Sequence, residues 1–371
     1  YNFSFPDQLF AVLQQHETKP ELKQLSLQDY RSHRYFGLIR NFIRLIPLVM
    51  YMLGSSPSVC RCFLTGREHH LQPLVKGTLY LPEATALRMG RLGYQNSAQK
   101  ELGIHYNDLH DYLDGLQKAV HTPYPEFTDL GLNDAQGEPI QINDHVLQIE
   151  NEYYSLVRPK QVPQAGETPS QALKNRGVGY VELRAVDVNP YSAIGIDEIS
   201  AGFLESLALY CLLRDSPDLF AEEQEQIDHN QTEVVNRGRA ADAKIQDGQT
   251  TVSLQDWAQR HLNAIQDCAI LLDQMDGSPL YREAIQVMQQ RLDHVENTLS
   301  AHVIKDTLDN GGTWNFGSVM AQQHVNRYEQ HQLSAEREQY FAQLAQTSLQ
   351  KQVQLEQDND MSFEQYLAQY R

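Results

Sequence analysis

The order of hydrophobic and polar positions changes along the chain from strand-like to helical. Aromatic and polar residues alternate from Tyr1 to Phe5, which is typical of a strand. From Leu27 to Leu53 the apolar residues recur at helical spacing, and we expect Pro47 to bend or end that helix because proline lacks the amide hydrogen. Similar spacing predicts helices at 107–120, 197–217, 253–275, 280–299 and 316–349.

The clearest strand pattern runs from Tyr180 to Asp187, with Val181, Leu183 and Ala185 on the face expected to be buried. A second alternation, from Leu147 to Tyr154, predicts another strand. Strands therefore group in the first half of the chain and helices in the second, which predicts an α+β fold. We expect one domain, with a sheet-containing part over 1–196 and a helical part over 197–371.

Composition and charge narrow the function classes. The 371 residues are 41% hydrophobic, enough for a sizeable core, and the net charge of −18 disfavours nucleic acid as a partner. An anionic ligand would need a metal ion or a few local arginines. The apolar run from Phe42 to Leu53 is too short to span a bilayer and contains Arg44, so it predicts a buried helix and no membrane partner.

Cysteine usage indicates a reducing compartment. The four cysteines are too few and too unevenly spaced for a disulfide framework, which favours the cytoplasm. Cys60 and Cys62 lack the companions that a zinc site needs, so we interpret them as ordinary thiols. The His69–His70 pair, His105 and His110 are interpreted as solvated or structural for the same reason.

The common catalytic signatures are missing from the sequence: there is no GxxxxGK, no complete GxGxxG, no GxSxG and no HExxH. Side chains on a sheet would then have to handle any phosphate. On the polar face of the 180–187 strand, Glu182 can supply oxygen to Mg²⁺ and Arg184 can bind phosphate. The alternative is an exposed ion pair of little energetic value.

Other candidates have equally ordinary alternatives. Tyr154 lies on the polar face of the second predicted strand, and Asn2 on that of the first; either strand could simply be half-solvated. Arg88 could clamp a substrate carboxylate and Tyr94 could close over a small ligand, although a surface arginine is the usual interpretation.

Four blocks of sequence, in the same order, resemble one enzyme family. They are GSSPSVC, LPEATALRMGRLGYQNSAQKELGI, VLQIENEYYSLVRPK and YVELRAVDVNPYSAIGID. Together they resemble bacterial glutamate-cysteine ligase of the gammaproteobacterial type. The resemblance is strong from about Tyr35 to Pro217 and weaker, though collinear, in the helical part.

The resemblance implies a glutamine synthetase-like fold with a curved antiparallel sheet cradle. It also implies the substrates L-glutamate, L-cysteine and ATP, with Mg²⁺ or Mn²⁺, and a γ-glutamyl phosphate intermediate on the way to γ-glutamylcysteine. By the same resemblance Glu182 is a magnesium ligand and Arg184 contacts the transferred phosphate. The residues that would hold glutamate are Arg88 and Asn2, and those that would line the cysteine side are Tyr94 and Tyr154. We expect a monomer.

The sequence departs from the family at its start. Family members carry a segment before the YNFS strand that contains metal-binding glutamates, and this chain begins at Tyr1 without it. We therefore expect the chain as given to be a truncated and inactive piece. Two alternatives stay open: a related ligase that uses another amine acceptor, and a Gln-rich helical interaction protein without catalysis.

Overall fold

The computed structural model describes residues 1–90, 92–93, 102–164, 166–358 and 361–368. Eight short strands are found in these ranges: β1 Asn2–Phe3, β2 Ser58–Cys60, β3 Gln72–Pro73, β4 Thr78–Tyr80, β5 Val157–Lys160, β6 Tyr180–Leu183, β7 Lys244–Asp247 and β8 Thr250–Ser253. They form a sheet in the order β1-β6-β5, a second in the order β2-β4-β3, and a β7-β8 hairpin, all antiparallel.

Helices make up most of the described chain. They are α1 Asp7–Gln15, α2 Pro20–Lys23, α3 Leu27–Leu53, α4 Leu109–Ala119, α5 Pro125–Leu130, α6 Pro169–Arg176, α7 Glu198–Leu213, α8 Ala221–Arg237, α9 Leu254–Asp276, α10 Leu280–Asp293, α11 Leu299–Asp309, α12 Thr313–Gln330, α13 Ala335–Gln357 and α14 Phe363–Leu367. Short 3₁₀ turns cover Arg61–Leu64, Leu87–Met89, Glu150–Glu152 and Val295–Asn297. Small antiparallel sheets beside many helices confirm the α+β prediction.

Helix α3 is the centre of the core and packs against α1, α7, α8 and strand β5. Its side chains Phe36, Leu38, Ile39 and Phe42 are completely buried. The Ser26 hydroxyl accepts a hydrogen bond from the Asp29 amide and so begins the helix. The expected interruption at Pro47 is not an end, since the helix continues to Leu53. Burial of the surrounding side chains outweighs the one lost amide hydrogen bond.

Helix α3 is also long and apolar enough to cross a membrane, judged by length and composition alone, and no other helix among the described residues is. However, 89% of its most apolar 18-residue window is buried inside the protein. The predicted buried helix from Phe42 to Leu53 is therefore confirmed: this segment is a core helix that the other elements enclose.

The prediction of a second strand was wrong. The segment from Leu147 to Tyr154 is not a strand: Glu150–Glu152 forms a 3₁₀ turn, and the strand β5 begins only at Val157. Side chains satisfy the backbone here, because the Gln148 amide donates to Glu152 and the Gln148 carbonyl accepts from the Asn143 side chain. Such local bonds compete with a strand ladder.

The second half of the chain is not entirely helical. The β7-β8 hairpin lies between α8 and α9, and Gly248 at its turn has a φ of 60°. Asp247 pairs with Thr250, so the loop is Gly248–Gln249, and glycine suits the first position of a two-residue loop because it adopts positive φ without strain. The predicted helix over 280–299 ends at Asp293, and that over 316–349 is divided between α12 and α13.

Candidate active site

The three-stranded sheet β1-β6-β5 places one row of polar residues across its strands. In the register of the ladder Asn2 is opposite Glu182, and Glu182 is opposite Arg158. Residues directly opposite each other in a sheet project from the same face. On the other face, Val181 and Leu183 are buried against the core, as the alternation predicted. The sheet is thus apolar toward α3 and polar on the opposite side.

Glu182 carries a buried oxygen in the middle of this polar row. Its Oε2 atom is buried and has no hydrogen-bond partner among the residues that the structure describes. The nearest cations are Lys160 Nζ and Arg184 Nη1, each 3.8 Å from Oε2. A buried carboxylate oxygen that no donor satisfies is costly unless a cation or a ligand completes it.

Arg184 follows β6 directly and is held from two sides. Its amide donates to the Leu156 carbonyl at 2.8 Å, and its guanidinium lies over the Tyr154 ring at 5.0 Å from the centroid. This cation–π contact orients the guanidinium, whose side chain is 40% exposed. The structure therefore brings Arg184, Tyr154 and Glu182 together.

Arg88 reaches the same place from the 3₁₀ turn Leu87–Met89. Its Nε donates to Asp187 Oδ1 at 2.9 Å, and its Nη2 donates to the carbonyls of Val186 and Arg184 at 2.7 and 3.2 Å. Asp187 is buried and also accepts from the Ser55 amide and the Ser56 hydroxyl. Asp187 thus joins the end of α3 to Arg88.

Arg158 was not predicted, and it contributes a third guanidinium. It is only 7% exposed, its Nε has no hydrogen-bond partner in the described part of the chain, and its guanidinium lies 5.9 Å from the Tyr153 ring centroid. Behind it the Tyr153 and Tyr106 hydroxyls are 3.0 Å apart, and burial raises the pKa of both phenols. These rings stay neutral and leave the positive charge of Arg158 unopposed from that side.

These side chains surround a cavity of about 390 Å³. Its lining residues are Arg88, Arg158, Arg184, Glu152, Asn151 and Tyr154. Three guanidinium groups and one carboxylate line this cavity, which we call the cationic cavity, and Arg88 is also paired with the buried Asp187 behind it. Such a site suits a ligand with carboxylate or phosphate groups.

A larger cavity of about 540 Å³ lies next to it and shares Tyr154. Its lining mixes apolar and polar residues, includes the carboxylates of Glu225 and Asp228, and has no Lys or Arg among the described residues. Burial raises the pKa of Asp228, which a nearby anion would raise further. The charged side chains of the two linings therefore favour the smaller, cationic cavity as the binding site for anionic groups.

The site holds most of the predicted residues in one place. Arg88, Arg184 and Tyr154 line the cavity, Glu182 is beside it, and Asn2 is across the ladder from Glu182. Tyr94 lies outside the described residues. Arg158 could not be found without the strand register. Asp187 could have been found, because it lies on the same alternation as Val181, Leu183 and Ala185, and a carboxylate at a position expected to be buried indicates a special role.

Comparison with known proteins gives the class and then the family. The solved structure of a glutamate-cysteine ligase from Francisella tularensis, in complex with AMP, superposes with a TM-score of 0.89 at 30% identity and covers 100% of this chain and 71% of that chain. A bifunctional glutathione synthetase from Pasteurella multocida, at 20% identity and a TM-score of 0.64 over 88% of this chain and 36% of that one, shares the fold. The class is therefore a ligase.

The family follows from the sequence matches. The family model for glutamate-cysteine ligase matches residues 1–234. The glutamate-cysteine ligases of Pseudomonas paraeruginosa and Alcanivorax borkumensis are 42% and 40% identical, covering 100% of this chain and 69% and 71% of their own lengths. The chain belongs to the glutamate-cysteine ligase family, whose members form γ-glutamylcysteine in glutathione biosynthesis. The resemblance seen in the four sequence blocks is confirmed.

Proposed function

We propose that the cationic cavity is where ATP activates the γ-carboxylate of L-glutamate for attack by the amine of L-cysteine. The observation that carries this proposal is the convergence of Arg88, Arg158 and Arg184 on one cavity beside the buried oxygen of Glu182. The Francisella tularensis relative is described in complex with AMP, which supports an adenine nucleotide as ligand. We further propose that residues 1–371 belong to one catalytic domain.

The reaction proceeds in two steps that need no nucleophilic side chain. An oxygen of the glutamate γ-carboxylate attacks the γ-phosphorus of ATP, ADP leaves, and an acyl phosphate forms. The cysteine amine then attacks the acyl carbon, loses a proton and expels phosphate, which keeps one of the former carboxylate oxygens. Positioning and electrostatic stabilisation supply most of the acceleration in phosphoryl transfer.

The arginines have distinct tasks in this proposal. Arg184 lies nearest Glu182 and can form a fork with the transferred phosphoryl oxygens. Arg88, fixed by Asp187, can bind a carboxylate of glutamate together with Asn2. Tyr154 lies between the two cavities and can line the cysteine side, a role that the family resemblance also assigns to Tyr94.

Glu182 fits a divalent cation. The unsatisfied Oε2 atom is a hard oxygen donor beside the cationic cavity, which is the donor type that Mg²⁺ or Mn²⁺ takes. A divalent cation bound at Glu182 would neutralise part of the negative charge of the phosphate groups. Lys160 Nζ and Arg184 Nη1 each lie 3.8 Å from this oxygen and help to position the carboxylate.

One carboxylate is a weak metal site. No group of three or more His, Cys, Asp or Glu suited to a metal ion is found within the described ranges. Magnesium normally needs several oxygen ligands. We therefore expect this chain alone to bind the ion weakly and to be inactive or nearly so unless further donors join Glu182.

The location, oligomeric state and partners of the protein are also proposed. A net charge of −18 and a buried α3 favour a cytoplasmic monomer whose partners are L-glutamate, L-cysteine and ATP, without nucleic acid or membrane. Assays with other amines in place of cysteine test the alternative that the protein is a related ligase with another amine acceptor. The membership of a ligase family argues against a purely helical interaction protein.

Oxygen transfer tests the mechanism. Glutamate labelled with ¹⁸O in its γ-carboxylate is incubated with ATP, Mg²⁺, cysteine and the protein expressed from its native open reading frame. We expect one labelled oxygen in the released phosphate for each γ-glutamylcysteine formed. Product without label in phosphate would overturn the acyl phosphate, and product without ATP would overturn the use of ATP.

A metal titration tests Glu182 separately. Mn²⁺ binding in the presence of ATP is followed by electron paramagnetic resonance in wild type, Glu182→Gln and the exposed loop control Glu138→Gln. We expect weaker binding only in Glu182→Gln. Equal binding in all three would remove Glu182 from the metal site.

A further inference from the structure

Two cysteines lie side by side on the surface, at the end of strand β2. The Sγ atoms of Cys60 and Cys62 are 2.6 Å apart, with Cys62 exposed and Cys60 half-buried. The other two cysteines, Cys211 and Cys268, are buried among the helices. The chain therefore presents one accessible pair of thiols and keeps an internal pair of inaccessible ones.

The backbone on both sides of this pair is tied down. Cys60 is opposite Thr78 in the β2-β4 ladder, and the Arg61 amide donates to the Gly77 carbonyl at 2.8 Å. The Cys62 carbonyl accepts a hydrogen bond from the Thr65 hydroxyl at 3.1 Å. These bonds hold the backbone on both sides of the pair, and the two sulfur atoms are in contact at 2.6 Å.

The two thiols differ in acidity. Hydrogen bonds from the Cys62 thiol and from the Cys62 and Phe63 amides lower the pKa of Cys60, whereas the contact with Cys60 raises the pKa of Cys62. The thiolate is the form that attacks a disulfide. This asymmetry supports a division of roles in which Cys60 attacks and Cys62 resolves.

A metal site is the competing use for two neighbouring thiols. Structural zinc takes four ligands, usually Cys or His. Within the ranges that the structure describes, no third His, Cys, Asp or Glu completes a metal-binding group with this pair. The pair is therefore better suited to thiol chemistry than to holding a metal ion.

We propose that Cys60 and Cys62 form a modification site that reacts with low-molecular-weight disulfides and closes into an intramolecular disulfide. The Cys60 thiolate attacks one sulfur of the small disulfide, which breaks its S–S bond and releases one thiolate. The Cys62 thiol then loses its proton and attacks Cys60, expelling the second thiolate. In sum, two protein thiols are oxidised and one small disulfide is reduced to two thiols.

The test uses hydroxyethyl disulfide, an uncharged small disulfide, followed by alkylation and mass spectrometry. Trypsin cleaves after Arg61, so the predicted product is a disulfide-linked pair of peptides, and the intact chain is two hydrogens lighter with no adduct. Cys211 and Cys268 serve as internal controls that stay reduced. The measurement requires no ligase turnover, so its result does not depend on whether the proposed function is correct.

Two variants separate the roles of the cysteines. Cys62→Ser should retain the hydroxyethyl adduct on Cys60, since nothing resolves it, and Cys60→Ser should acquire its adduct more slowly than Cys62→Ser does. Separate stable adducts on both residues of the wild type, a disulfide between two copies of the chain, or reaction no faster than at the buried cysteines would each overturn the proposal.

Discussion

Replacing Asp187 by Asn should disconnect Arg88 from the rest of the site. The buried Asp187 carboxylate accepts from the Ser55 amide, the Ser56 hydroxyl and Arg88 Nε, at 2.9, 2.7 and 2.9 Å. Asparagine has nearly the same shape, but one of its two terminal atoms is an NH₂ donor. Whichever way the amide turns, at least one donor then faces another donor.

The structure sets the size of the effect. A hydrogen bond between charged groups contributes about 1.5–3 kcal/mol to stability. The Arg88 side chain is 44% exposed, so solvent screening reduces this, and we expect a loss of about 1–2 kcal/mol in the free energy of unfolding. A carboxylate ligand held by a misplaced Arg88 should lose a similar amount, which corresponds to roughly a tenfold rise in KM for glutamate.

Urea unfolding followed by circular dichroism measures the first effect, and γ-glutamylcysteine formation at varied glutamate measures the second. The matched control is Asp242→Asn, which breaks a 2.6 Å ion pair between Arg237 and an aspartate that is 75% exposed. We expect the control to change stability by less than about 0.5 kcal/mol. If Asp187→Asn behaves like Asp242→Asn in both assays, Asp187 does not position Arg88.

Three further predictions concern charge, titration and packing. Arg184→Met should lower kcat about 100-fold, with the surface variant Arg260→Met as control; equal activities would exclude the proposed phosphate contact. Burial first, then Arg214 and Arg260, lower the pKa of His261 to about 4. The unfolded histidine titrates near 6.5, so below that pH protonation favours the unfolded chain. The free energy of unfolding should therefore be highest above that pH and fall by roughly 1–3 kcal/mol toward pH 4. His261→Gln should abolish this loss in urea unfolding at several pH values, and parallel curves for variant and wild type would contradict it. Leu38→Ala, at a fully buried position of α3, should cost about 2–5 kcal/mol in the same experiment, against less than about 1 kcal/mol for the half-exposed Leu27→Ala; similar costs would contradict the central position of α3.

The predictions that held depend on short-range patterns. The alternation of Val181, Leu183 and Ala185 is buried as expected, because local periodicity decides which side of a strand meets the core. The differences from prediction have both local and tertiary causes. Side chains around Gln148 satisfy the backbone in place of a strand partner, and tertiary burial carries α3 past Pro47.

The candidate site could be predicted only in part. Glu182 and Arg184 are two residues apart on one strand face, so their proximity follows from the sequence. Arg158 lies in the site because β5 pairs with β6 so that Arg158 is opposite Glu182, 24 residues away. Neither segment alone determines this register. The contact of Cys60 with Cys62 depends on the local path of the backbone after β2, so spacing indicated only ordinary thiols.

The most direct test of the central claim is mass-spectrometric detection of γ-glutamylcysteine from glutamate, cysteine, ATP and Mg²⁺. The protein expressed from its native open reading frame is compared with its Glu182→Gln and Glu138→Gln variants and with the 371-residue chain. The account predicts ATP-dependent product from wild type and Glu138→Gln, and little or none from Glu182→Gln or from the chain alone. Undiminished product from Glu182→Gln would contradict the placement of the reaction beside this carboxylate.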